Sequence, residues 1–225
     1  MHIEPGVVEG AKIFLSYGTA AAALGTAAWL AARSARAHGW GALAARSVLT
    51  TLLVFCFFEV LPHHPVGVSE VHLILGSTLF LLFGAGAASV GLALGLLAQG
   101  VFFAPADLPQ YGMNVTTLLV PLFALGAVAK RIIAPHTPYV DLTYTQVLKL
   151  SLAYQGGIVA WVAFWAVWGH GVGADNLSAI ASFGAAYLLV IVLEPLIDLG
   201  VLAAAKALHR LRGSPLLEAR LFAAH

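Results

Sequence analysis

Three histidines and two carboxylates fall within fourteen residues, in the stretch E-V-L-P-H-H-P-V-G-V-S-E-V-H from Glu59 to His72. Neutral imidazole is the commonest side-chain ligand of transition metals, and carboxylates often accompany it. Glu59, His63, His64, Glu70 and His72 are therefore candidate ligands or accessory groups. The bland alternative is a polar loop that caps helix ends, with His63 solvated. A second candidate opens the chain, at Met1-His2. A free Met1 amine, the His2 amide nitrogen and the His2 imidazole can all hold one ion. Amine and amide close one chelate ring; amide and Nδ1 close the next. Three coplanar nitrogens suit Ni(II) or Cu(II), with low-spin Co(II) a further choice, and leave one position for a second histidine. The arrangement needs Met1 retained, and aminopeptidases trim Met only before residues smaller than His. Taken alone, a histidine at position two is more often a tail residue without a role.

The elements that must position these groups are transmembrane helices. Apolar residues make up 60% of the 225, and only 9% are Asp, Glu, Lys or Arg, against about 25% charged in a soluble domain. A chain so poor in charge cannot cover a globule with polar surface, so lipid is its solvent, and backbone in lipid must satisfy itself as helix. The expected fold is an all-α membrane protein, one polytopic domain over residues 1–225. Its apolar segments cover about 13–32, 48–61, 113–129, 150–168 and 177–205, with two more sharing 73–106 and divided near Gly84-Ala85-Gly86. That pair is short for two spans and reads as tilted or re-entrant; either way the chain returns to the side it left. About seven segments result. The opening MHIEPGVVEG carries no basic leader region and is expected to stay uncleaved.

Orientation follows from the cations. Arg33, Arg36, Arg46, Lys130, Arg131, Lys149, Lys206, Arg210, Arg212 and Arg220 fall on one side, expected to be cytoplasmic, and Lys12 on the other. The N-terminus is then outside and the C-terminus inside a bacterial inner membrane. His2, His63, His64, His72 and His170 map to the outer face, together with Glu4, Glu9, Glu59, Glu70, Asp107 and Asp175. Such a face draws cations. The net charge of +1 gives no reason to expect a nucleic-acid partner; the bilayer is the partner that composition demands.

The pieces MHIEPG, HHPVGVSEVHLILG and QGVFFAPADLPQYGMNVTTL resemble the cobalt- and nickel-uptake substrate-binding membrane proteins of energy-coupling-factor transporters, the CbiM/NikM type. The likeness covers roughly the first 130 residues. It implies a seven-helix fold with the N-terminus outside and a metal held by Met1, His2 and a loop histidine. One family variant of the loop, His-Pro-Thr-Gly, aligns with His64-Pro65-Val66-Gly67; another, Gly-Gly-Thr-Thr-Gly-His, puts its histidine on His72, which ranks first. Asn114, in Gly112-Met113-Asn114, matches the asparagine of a Gly-Ala-Asn motif and would support the site from behind its ligands. Glu70 departs from the family's uncharged loop.

No G-x-x-x-x-G-K-[ST] phosphate loop occurs, so the resemblance implies energy from partners: a coupling membrane subunit and cytoplasmic ATPases. The expected role is a transporter component, not an enzyme, with Co2+ or Ni2+ as cargo and no permanent cofactor. Two other readings stay open: an intramembrane metal or haem enzyme, and a scaffold subunit using the small residues Gly18, Ala22 and Gly25. Glu194 and Asp198, four apart around Pro195, read as a buried polar network with a structural role. Trp161, Trp165 and Trp168 read as an interfacial belt, and Cys56 as an inert core thiol.

Overall fold

The computed structural model describes residues 3–210. Among them six helices are long and apolar enough to cross a membrane: α1 (Phe14–His38), α2 (Trp40–Glu59), α3 (Gly76–Phe102), α4 (Tyr111–Ile132), α5 (Tyr144–His170) and α6 (Ala174–Arg210). A two-stranded antiparallel hairpin, β1 (His64–Val66) and β2 (Ser69–Val71), joins α2 to α3. The protein is an all-α membrane protein.

The two segments expected between 73 and 106 form one element, broken at Gly84. Its φ of 82° and ψ of 161° suit only glycine without strain. Beyond the break, α3 runs parallel to its predecessor. Thr50 of α2 donates to the Ala87 carbonyl at 2.9 Å, and Gly91 and then Gly95 abut Thr50 and then Val54. Consecutive parallel helices need a return path between them. Here it consists of the β-hairpin, the 72–75 segment and the short limb 76–83. Ser77 and Thr78 open that limb against Asp198 of α6, and Phe80 reaches Gly126 further along α4. Helix association in lipid relies on close packing and polar contacts. Gly91 and Gly95 supply the closeness, since a Cβ on either would fall within 2.6 Å of α2 atoms.

The described cations other than Lys12 gather at one end of the bundle, within the last two turns of α1, α4 and α6 and the first two turns of α2 and α5. Contacts across that end confirm the alignment: Lys206 of α6 donates to the Val140 carbonyl at 2.6 Å, and Gln146 of α5 to that of Ile132 at 2.7 Å.

Two expectations about side chains change. Trp165 is wholly buried rather than interfacial, stacked edge-on with Trp161; only Trp168 stays substantially exposed, and it donates to the Lys12 carbonyl. Cys56 is exposed on α2, not in the core. Around Cys56, from Leu52 to Phe58, α2 is apolar on every face, so composition gives no periodicity to separate lipid-facing from buried positions.

Candidate metal-binding site

At the end opposite the cations, the start of the chain is built into the bundle. Ile3 is fully buried. Its N–H donates to Asn114 Oδ1 at 2.7 Å, and its backbone makes an isolated antiparallel bridge to Ser69. Glu4 N–H donates to the Val68 carbonyl at 3.2 Å. Val7 and Val8 are buried, and the Val7 carbonyl lies so close to Gly169 that a Cβ there would sit 1.7 Å from it. His170 Nε2 donates to the Gly6 carbonyl at 3.0 Å, and Lys12 Nζ to that of Gly169 at 2.7 Å. The segment is thus held by α4, α5 and the β-hairpin together.

The hairpin is seated on α6. Gly67, at its turn with φ +62°, would carry a Cβ 2.2 Å from the Ala179 carbonyl. His64 pairs across the hairpin with Val71 and is exposed. Successive residues of a strand face opposite ways, so His72 follows on the other side, and there it is buried at 3% exposure. Its ring lies 4.5 Å from that of Phe58. Nδ1 faces the Leu73 carbonyl at 3.0 Å. A carbonyl only accepts, so a neutral His72 ring donates from Nδ1 and keeps its lone pair on Nε2, the arrangement in which histidine binds metal.

Directly after His72, the chain is anchored at mid-bundle. Ile74 N–H donates to Glu194, as does Gln155 Nε2. Tyr187 O–H donates to Gln155 Oε1 at 2.6 Å. Asp198 accepts from Ser77 Oγ at 2.6 Å and from Thr78. Both carboxylates are at most 1% exposed. Backbone outside a regular helix at membrane depth requires such burial within protein, and the positive end of the short limb welcomes the two acids. Gln155, Tyr187, Ser77 and Thr78 were missed from the sequence; the available signal was a polar group within an otherwise apolar run.

The other expected residues divide. His63, partly exposed at the rim, approaches Glu70 Oε1 through Nδ1 at 3.5 Å. Glu59 ends α2, half-buried next to Phe58. Glu4 lies near Glu70 and Asp107: burial first, then these two carboxylates, raise its pKa above the usual 4.5. Met1 and His2 lie outside the described residues. Among the described residues no three of His, Cys, Asp and Glu converge to hold a metal ion.

Comparison with known proteins agrees with this architecture. The family described as CbiM, cobalt uptake substrate-specific transmembrane region, matches residues 2–211. A solved structure titled "Crystal Structure of an Truncated Transition metal Transporter" shares the fold, with a TM-score of 0.66 at 14% identity, over 93% of this chain and 99% of that one. No curated protein matches the chain in sequence.

Proposed function

The chain belongs to the family of cobalt-uptake substrate-specific transmembrane regions, a multi-pass membrane component of metal uptake, and from that premise we propose that it captures Co2+ or Ni2+ through Met1, His2 and His72. One observation supports the reading above the others. The described chain begins at Ile3, pinned by Asn114, and bridges Ser69, three residues before a buried His72 whose Nε2 carries the lone pair. In this reading a site on His72 is completed by Met1 and His2. Asn114 then acts behind the ligands by fixing the amide that follows His2. Exposed His64 and rim-bound His63 are accessory, with Glu59 and Glu70 lending negative field.

In this reading the acidic end faces outward and the cationic end faces the cytoplasm of a bacterial inner membrane. Energy comes from a coupling membrane subunit and ATPases on the cationic side. Gly18, Ala22 and Gly25 of α1 are exposed, and a Cβ on either glycine would meet open space; they offer the coupling subunit a close approach.

The test uses the N-terminus as a chemical group. Protein with one residue added before Met1 should lose bound Ni or Co, measured by elemental analysis, while a C-terminal tag leaves it intact. Binding should also release protons and weaken as pH falls, because amine, amide and imidazole must all give theirs up. Equal metal content in the two tagged proteins would sink the N-terminal chelate.

A further inference from the structure

The cationic end holds a cavity of about 730 Å³ between α1, α4 and the reversal at Gly84. Phe80, Phe83 and Leu122 wall it, and Arg33, Arg46 and Lys130 line it as well. That volume is in the range of true ligand sites, roughly 300–1,000 Å³. We propose that this cavity binds an anionic phospholipid, its phosphate on Arg33, Arg46 and Lys130 and an acyl chain along the aromatic wall.

Three features argue for this occupant. First, the cations lack acid partners among the described residues. Of the described carboxylates, Glu4, Glu9, Glu59, Glu70, Asp107 and Asp175 sit at the other end and Glu194 and Asp198 at mid-bundle. Asp141 shares the cationic end but lines a separate small cavity with Lys206 and Arg210. Three cations lining one cavity with no described acid to meet call for an anion from outside, and basic pockets between transmembrane helices take lipid headgroups. Second, Gly84 itself lines the cavity and precedes the 85–102 limb, which adds the positive end of a helix to the same place. Third, the dimensions fit one leaflet. On α1 the lining runs from Thr26 to His38, about 18 Å of helix, against roughly 15 Å for half a bilayer core. Free phosphate would leave the aromatic wall without purpose, and a partner helix would have to bring acids into an apolar slot.

The test is lipid retention by the full chain. Protein purified in a neutral detergent would be supplied with equal phosphatidylglycerol and phosphatidylcholine, washed, and read by native mass spectrometry. Phosphatidylglycerol should be retained at least tenfold over phosphatidylcholine and should raise the thermal midpoint. The combined substitution Arg33→Gln, Arg46→Gln, Lys130→Gln should remove that preference. Arg33→Gln and Lys130→Gln singly, both at exposed positions, serve if the triple variant misfolds, each lowering retention in part. Equal retention of the two lipids, an unchanged preference in the variants, or displacement by inorganic phosphate alone would each overturn the proposal.

Discussion

The two ends of this bundle are built on opposite plans. At the acidic end everything is tied: the chain start to Asn114, Val68 and Gly169, the hairpin to α6, and His72 between Phe58 and its neighbour's carbonyl. At the cationic end the helices part around a cavity whose charges meet no acid among the described residues. Recognition of one small ion needs ligands held to a fraction of an ångström. An amphiphile needs only a slot and a patch of charge. The proposed function assigns the specific chemistry to the tied end, and the tie passes through Glu194.

The contrast would break most completely at that carboxylate. Glu194→Ala leaves the Ile74 amide and the Gln155 side-chain amide without their acceptor, at about 1–3 kcal/mol for each buried donor. Thermal unfolding in detergent should show the largest loss of any variant here, with metal binding lost alongside. A Glu194→Ala protein that unfolds and binds metal like the parent would detach the acidic end from mid-bundle.

Next come the ligands themselves. His72→Ala should lower Co or Ni affinity more than His64→Ala, and His63→Ala least of the three, by titration calorimetry, without a large stability change. A greater loss at His63 than at His72 would move the site to the rim.

Smaller effects should come from residues that only hold the chain start. Asn114→Ala should cost roughly 10–100-fold in affinity, the usual range for groups behind the ligands. Gly169→Ala should push on the Val7 carbonyl and act in the same direction; unaltered affinity in both variants would show that the start of the chain need not be fixed.

The smallest change is expected at Glu4. Its pKa is raised by burial and by Glu70 and Asp107, so its charged form is disfavoured in the folded protein. Metal-free stability should therefore decline as pH rises from about 4.5, the unperturbed value, through the raised pKa. Glu4→Gln should flatten that decline and slow metal association. A slope unchanged in Glu4→Gln would assign it to another group.

Much of this was legible in the sequence, and the failures share a cause. Apolar runs gave the helices and Gly84-Ala85-Gly86 gave the break, because both are local signals. Resemblance pointed to Asn114 and ranked His72 over His64; the burial of one and exposure of the other needed the hairpin's seat on α6. The bond from Ile3 to Asn114 spans 111 positions, and nothing along the chain announces it. Trp165 shows a subtler limit. Its spacing from Trp161 and Trp168 correctly puts the three near one face, but in an all-apolar helix spacing does not say whether that face meets lipid or protein.

The short limb of α3 also constrains how the molecule is made. Eight residues are far too few to enter a bilayer as an independent span, which takes about twenty. The Ile74 amide just before it and its own Ser77 and Thr78 hydroxyls wait for carboxylates that lie some 120 positions later, on α6. The segment carrying His72 therefore cannot reach its final depth until α6 has entered the membrane. A nascent chain halted before Glu194 would hold its first helices in place and leave the loop that carries His72 at the surface.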